Sequence, residues 1–339
     1  MGSETRPQVG EGLNLGSAGV TDAAHLQPSE LSQLLVSLQQ KFDWSTRSED
    51  FDLLGSWRRD RSGSAFYHMA GNPDGQAIIL KVVDGWTSRD AESMFRAMTD
   101  LADVVDRSGI QGAFGIRPVG WAGDPPLVVM PYVEGTDVVS ILRQPEHEAW
   151  ADMGSWMTKT GQMLAVYHER HRAHATDAVV DDARELAARL MIGRRSIEGT
   201  LAGIDPEQRS ARSFGDIGPG NLHGASNGDL YLLDPPAESG IALVHRDLGN
   251  FVFELRRQLA GRGYTRSRPV KGHFERLRSA YLEGYSLRSH GGPATPADEA
   301  LIALFEARRA MGMARKRMPS RPGDALWFAR LAISRRQDV

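Results

Sequence analysis

Cysteine is absent from all 339 residues. Its absence excludes disulfides, thiolate nucleophiles and zinc sites built on cysteine, and it fits a cytoplasmic protein. Charge of one sign is also lacking: 40 Lys and Arg stand against 43 Asp and Glu, for a formal net charge of −3. A dedicated nucleic-acid binder carries a strong basic excess, so no nucleic-acid partner is expected. No apolar run is long enough to span a bilayer, and Met1-Gly-Ser-Glu-Thr-Arg has no apolar signal core. Arg6 stands where a myristoylation signal needs Ser or Thr. A soluble chain without a membrane partner is therefore expected. Two chemical signatures are missing too: the Walker-type G-x-x-x-x-G-K-S/T and the H-E-x-x-H metal site. Nothing in the pattern sets an oligomeric state.

What is present is an ordinary globular composition, 41% hydrophobic and 24% charged, in a chain long enough for one large domain or two lobes. Residues 1 to about 28 are polar, Gly-rich and without a period, and read as an extension. Leu31, Leu34, Leu35 and Leu38 then have helical spacing. Strand patterns follow at 51–57, 65–69 and 77–83, separated by Arg58-Arg-Asp-Arg-Ser-Gly-Ser and Gly71-Asn-Pro-Asp-Gly. Ser88–Val105 reads as a helix, and 112–130 contains two further strands ending in Leu127-Val-Val-Met. Together these predict a small antiparallel sheet with one inserted helix. Beyond Pro131-Tyr-Val-Glu-Gly the pattern is mostly helical: 149–168, 181–192, 247–260, 273–285, 296–317 and 324–335. Thr295-Pro296 supplies an N-cap and a first helical position.

The helical part is interrupted by Phe214-Gly-Asp-Ile-Gly-Pro-Gly-Asn-Leu and then Tyr231-Leu-Leu-Asp-Pro-Pro. Asp216 and Asn221 lie five residues apart across a glycine- and proline-rich loop, and Asp234 ends a short apolar run. A carboxylate, an amide and a second carboxylate so arranged suit a centre holding magnesium and a nucleotide phosphate. One Asp takes the proton of an attacking hydroxyl, and the Asn and the other Asp hold the metal. Gly215, Gly218 and Gly220 are expected to let the loop turn sharply.

These residues and this two-part layout resemble the protein-kinase-like fold, most closely its aminoglycoside phosphotransferase and choline kinase branch, from about Trp57 to Leu259. The resemblance implies an α+β, two-lobed protein. Residues 1–45 would form an extension with a helix, 46–134 a nucleotide-binding lobe with its hinge, and 135–339 a helical lobe with the catalytic loop and acceptor site. It makes Asp216 the catalytic base and Asn221 and Asp234 the Mg²⁺ ligands. Lys81 becomes the phosphate-contacting lysine, with Glu92 as its carboxylate partner. Met130 would line the nucleotide pocket, and Tyr132 and Val133 would offer backbone groups to a purine. Asp247 would support the catalytic loop. Gly161-Gln-Met-Leu-Ala-Val-Tyr-His matches an architectural helix. The cofactors implied are ATP or GTP and Mg²⁺, and the acceptor is a hydroxyl on a small molecule, sugar or natural product. Two other readings are a Ser/Thr kinase of precursor peptides and a nucleotide-binding pseudokinase scaffold.

The chain departs from the family pattern in places. Phe214 stands where a His is usual, Pro235-Pro236 follow Asp234, and no G-x-G-x-x-G precedes the second strand. Ser62-Gly63-Ser64 is the expected phosphate cover in its place. His245-Arg-Asp-Leu imitates a protein-kinase catalytic sequence, but the position five after Asp247 is Val252, so the segment is assigned to a supporting helix. His168, His171 and His174 recur every three residues and drift around a helix, which makes a zinc site a poor reading. The basic run Arg308, Arg309, Arg315, Lys316, Arg317 and Arg321 reads as a solvated helix face, or alternatively as contact with an anionic acceptor or peptide. A lone lysine at a strand end would ordinarily be a solvated edge residue, so Lys81 needs a structural test.

Overall fold

The computed structural model describes residues 35–36, 52–59, 64–70, 77–83, 85–144, 147–174, 176–235, 239–260, 268–288, 294–337 and 339. The first strand patterns become β1 (Asp52–Arg59), β2 (Ser64–Ala70) and β3 (Ile78–Val83). Helix α1 (Ser88–Arg107) follows, then β4 (Ala113–Gly115), β5 (Gly120–Gly123) and β6 (Pro126–Pro131). Five of these strands form an antiparallel sheet in the order β1-β2-β3-β6-β5. Both of its faces are covered. Leu35, Tyr67, Met69, Leu80 and Val129 pack on one side, and Phe66, Ile79, Val128 and Met130 meet Met94 and Met98 of α1 on the other. Leu35 and Val36 are the described part of the expected N-terminal helix, and Leu35 lies on the side away from α1.

Thr87 starts α1 with a reciprocal capping box. Its hydroxyl accepts from the Asp90 N–H, and its own N–H donates to the Asp90 carboxylate at 2.7 Å. The buried stripe Ala91, Met94, Met98, Leu101, Ala102 and Val105 then follows the helical period.

β4 departs from expectation. It pairs in parallel with a later strand rather than joining the first sheet. Three residues are too short to show an alternation, so their sheet could not be read locally. The remaining elements are β7 (Thr136–Asp137), α2 (Val138–Leu142), α3 (Met153–Arg170), α4 (Asp177–Arg189), α5 (Arg194–Ala202), β8 (Ser210–Arg212), β9 (Leu222–Gly224), β10 (Leu230–Leu232), β11 (Ile241–Leu243), α6 (His245–Ala260), α7 (Arg268–Arg288), α8 (Pro296–Arg317) and α9 (Pro322–Arg336). Helix α5 had no sequence expectation, because its nine residues bury only Ile197, Thr200 and Leu201.

A second sheet, β4-β10-β9-β7, lies where the chain leaves the first one, and β11 pairs with β8. One helical core gathers Trp156, Tyr167, Phe214, Phe251 and Tyr281, and a second gathers Leu186, Phe253, Leu304, Phe305 and Phe328. Helix α8 begins with a capping box of Thr295 and Asp298 and is buried almost all round from Ala300 to Ala307. It packs closely on α6 because Gly249 has no side chain: a Cβ there would sit 2.7 Å from the Ile302 carbonyl oxygen. Among the described residues, no helix is long and apolar enough to cross a membrane.

Candidate active site

β3 is a central strand, so Lys81 is not an edge residue. It is 5% exposed in the run Ile78-Ile-Leu-Lys-Val, every member of which is buried. An ammonium placed there requires a counter-charge. The structure supplies Asp234, whose Oδ1 accepts from Lys81 Nζ at 2.7 Å. The indole of Trp86 lies 5.8 Å from the same ammonium. Glu92 does not fill the role expected of it. Its carboxylate faces Arg96, one turn further along α1, at 2.5 Å. An i,i+4 partner on an exposed helix face is always within reach, whereas Lys81 is turned toward Asp234.

Asp234 has φ 47°, in the left-handed region, and is followed by Pro235. Such a backbone costs of order 1–3 kcal/mol in a non-glycine residue and concentrates at functional sites. Just before it, the Leu233 N–H donates to the Asn221 carbonyl at 2.8 Å, which joins the end of β10 to the loop. Asn221 closes a 3₁₀ turn over Pro219–Asn221, and its Nδ2 donates to the Asp216 carbonyl at 3.0 Å. With the amide nitrogen so engaged, its oxygen is turned elsewhere. Asn221 and Asp234 together offer hard oxygen donors of the kind Mg²⁺ takes alongside phosphate and water. The donor set therefore fits that ion, although the carboxylate of Asp234 is shared with Lys81 here.

Asp247 holds the loop from below and is 1% exposed. Its carboxylate accepts from Phe214 N–H at 2.5 Å, Ser213 Oγ at 2.7 Å, Gly215 N–H at 3.1 Å and His168 Nε2 at 3.0 Å. The Asn250 amide adds a bond to the Gly215 carbonyl at 3.1 Å. The decoy sequence around Asp247 thus forms the N-terminal end of α6 beneath the loop. Phe214 is fully buried, edge-on to Tyr167 with centroids 5.2 Å apart. It packs, and its backbone N–H makes the anchoring bond that a side chain at this position need not provide. Of the three loop glycines, Gly215 alone has positive φ, at 78°.

The three regularly spaced histidines go to different places. His168 bridges Asp247 and the Tyr285 hydroxyl, His171 meets Asp100 at 2.8 Å, and His174 faces Glu207. Among the described residues, no group of three or more His, Cys, Asp or Glu could hold a metal.

At the end of β6 the Tyr132 N–H donates to the Ala77 carbonyl at 2.8 Å, and Val133 shares a backbone hydrogen bond with His223. Both expected hinge residues are thus partly engaged within the chain. The Tyr132 carbonyl and the Val133 N–H have no partner among the described residues. Sequence reasoning missed His68, whose ring stacks on Tyr132 with centroids 4.1 Å apart. It lies two residues from Phe66 on β2 and so shares its face, which was the available signal. Burial lowers the pKa of His68 and of His223. Met130 is buried beside them on the α1 side. Ser64 is buried on β2, and Ser62 and Gly63 lie outside the described residues.

From the basic run, Arg309 reaches the candidate site. The carboxylate of Asp216 is 82% exposed, and its Oδ1 lies 2.5 Å from Arg309 Nη2, reaching from α8. Arg308 and Arg309 are half-buried rather than part of a solvated face, while Arg315, Lys316 and Arg321 are exposed.

No family model matches the chain, and no curated protein matches it. Solved structures do. The amicoumacin kinase hAmiN, in complex with AMP-PNP, Ca²⁺ and Ami, aligns with a TM-score of 0.53 at 14% identity over 92% of this chain and 97% of that one. The spectinomycin phosphotransferase APH(9)-Ia, in complex with ADP and spectinomycin, aligns at 0.50 and 12% identity, over 91% and 98%. The chain therefore has the two-lobed protein-kinase-like fold.

Proposed function

We propose that this protein is a Mg²⁺-dependent phosphotransferase that moves the γ-phosphoryl group of ATP or GTP to a hydroxyl of a small molecule. One observation carries the reading: Lys81 from the first sheet meets Asp234 from the end of β10 at 2.7 Å, while Asn221 ties Asp234's strand to Asp216's loop. In this reading a buried lysine, two carboxylates and an amide serve one site between the two lobes. The two similar folds whose structures hold AMP-PNP or ADP support a nucleotide in this cleft.

In this reading the Tyr132 carbonyl and the Val133 N–H meet the purine edge, with Met130 and His68 at its faces. Lys81 turns from Asp234 to phosphate oxygens. Asn221 and Asp234 hold Mg²⁺, which neutralises phosphate charge when bound. Asp216 accepts the acceptor's hydroxyl proton as the new O–P bond forms. The bond from phosphorus to the bridging oxygen breaks, and the nucleoside diphosphate leaves with its electron pair. Asp247, through its backbone bonds to Phe214 and Gly215, keeps Asp216 in register for this step. Ser62, Gly63 and Ser64 remain the candidates to cover the phosphates, and Glu92 is left a helix-surface role.

The reading is tested by nucleotide consumption across a panel of hydroxyl-bearing metabolites and peptides. The assay is run with ATP and with GTP, with and without Mg²⁺, and with Asp216→Asn as the control. Acceptor-dependent turnover that needs Mg²⁺ and disappears in the variant is expected. Turnover retained by Asp216→Asn would sink the assignment.

A further inference from the structure

The base of the proposed reaction is not free: its oxygen is bonded by Arg309. Arg309 also donates from Nε and Nη2 to Glu254 Oε1, both at a long 3.4 Å, while Arg257 holds the other oxygen of Glu254 at 2.6 Å. The guanidinium is thus lightly tethered, and the carboxylate it covers is largely exposed. An exposed pair of this kind has little net stability, so an incoming group can replace either partner.

The charges around it favour one kind of replacement. Arg308 is adjacent on α8, and Arg246 stands on the first turn of α6 with a buried Nε that has no hydrogen-bond partner among the described residues. Burial, then Arg246, lowers the pKa of Arg308, with Asp182 acting the other way and Arg309 and Arg189 adding to the fall. Arg308 thus lies within electrostatic reach of further guanidinium groups, those of Arg309, Arg246 and Arg189. A cationic acceptor would be repelled by Arg309 next to the base. A carboxylate or phosphate on the acceptor could take the guanidinium fork in two parallel hydrogen bonds.

We propose that the acceptor is a hydroxyl compound bearing an anionic group, and that Arg309 selects it by leaving Asp216 for that anion. The proposal rests on the phosphotransferase reading. It assigns the resting Arg309–Asp216 contact a purpose: the base is exposed for proton transfer when the correctly charged acceptor arrives. Arg309 is then a specificity residue and Asp216 the catalytic one.

The test uses six-carbon sugars and sugar acids of similar size that differ in charge: glucuronate and gluconate, neutral glucose, and cationic glucosamine. Thermal unfolding is followed with Mg-AMP-PNP present, for the wild type, Arg309→Gln and Arg309→Lys. The anionic sugars should raise the wild-type melting temperature and glucosamine should not. Arg309→Gln should weaken anion binding about tenfold while binding Mg-AMP-PNP as before, and Arg309→Lys should retain part of the effect. With ATP, the preference for the anionic acceptor should disappear in Arg309→Gln through KM rather than kcat. No anion-dependent shift, an equal shift in Arg309→Gln, or a preference for glucosamine would overturn the proposal. Anion binding that depends on Arg309 without phosphoryl transfer to any acceptor would leave Arg309 an anion site and overturn both its acceptor role and the phosphotransferase reading. Transfer abolished by Asp216→Asn with no charge preference would overturn the acceptor role of Arg309 and keep the phosphotransferase reading.

Discussion

Two carboxylates of the candidate site are held in opposite ways. Asp234 lies beneath a lysine whose side chain is 7% exposed, in a strand buried on both faces. Asp216 stands 82% exposed, reached by an arginine from a helix near the far end of the chain. The first pair is enclosed and positioned by two sheets, as a site for phosphate and metal must be. The second is open and weakly tethered, as the proposed exchange of Arg309 from Asp216 to an incoming acceptor requires.

The sharpest way to break this comparison is to neutralise each carboxylate. Asp216→Asn and Asp234→Asn should each lower turnover by about 10²–10⁴-fold. Calorimetric titration should separate them: Asp234→Asn loses Mg-nucleotide binding and Asp216→Asn keeps it. Equal loss of nucleotide binding in both would erase the distinction between the two sides.

Next in size is Asp247→Ala, which leaves four donors facing an empty buried position. A loss of about 3–5 kcal/mol in urea unfolding is expected, with turnover falling because the loop is no longer held. A stable variant with normal turnover would show that the loop is anchored elsewhere.

A smaller effect concerns pH. Burial is the leading cause lowering the pKa of His68, His171, His223 and His245. The unfolded chain protonates these rings near their ordinary value of about 6.5, and the fold keeps them neutral to lower pH. Their contribution to stability is complete above about 6.5 and is lost as the pH falls toward the folded values. The melting temperature should therefore drop between pH 7 and 5, less steeply in His223→Leu. Asp298 acts at lower pH. Burial alone would raise its pKa, but hydrogen bonds from His245 and Thr295 prevail and hold it well below the usual range, so its contribution is lost only on stronger acidification.

The smallest expected change is in Glu92→Gln. An exposed i,i+4 pair with Arg96 is worth only about 0.3–0.5 kcal/mol, so turnover should fall less than about threefold. Steady-state kinetics that instead collapsed would show Lys81 moving to Glu92 when nucleotide binds.

Much of this was legible before the structure. Residues 78–83 and the stripe of α1 follow periods that local sterics and burial impose. Thr295-Pro296 marks the start of α8 through its own hydrogen bonds, and Asp247 sits where a loop-supporting carboxylate was expected. Asp216, Asn221 and Asp234 were visible because a tight loop keeps them near one another in sequence. Lys81's partner was not. Glu92 is the nearer carboxylate along the chain, and choosing Asp234 over it depends on which way α1 turns its exposed face. β4 was assigned to the wrong sheet for the same reason, since Ala113 pairs with Leu230.

The sequence by itself determined the elements, the loop and the types of chemical group that the loop carries, because periodicity and short-range hydrogen bonding act between near neighbours. Only the tertiary structure decided which charge meets which. Lys81 faces Asp234, and Arg309 covers Asp216 because Gly249 lets α8 close onto α6. Coulombic pairing depends on distance in space, and two segments far apart in the chain have no separation until the whole fold has set it.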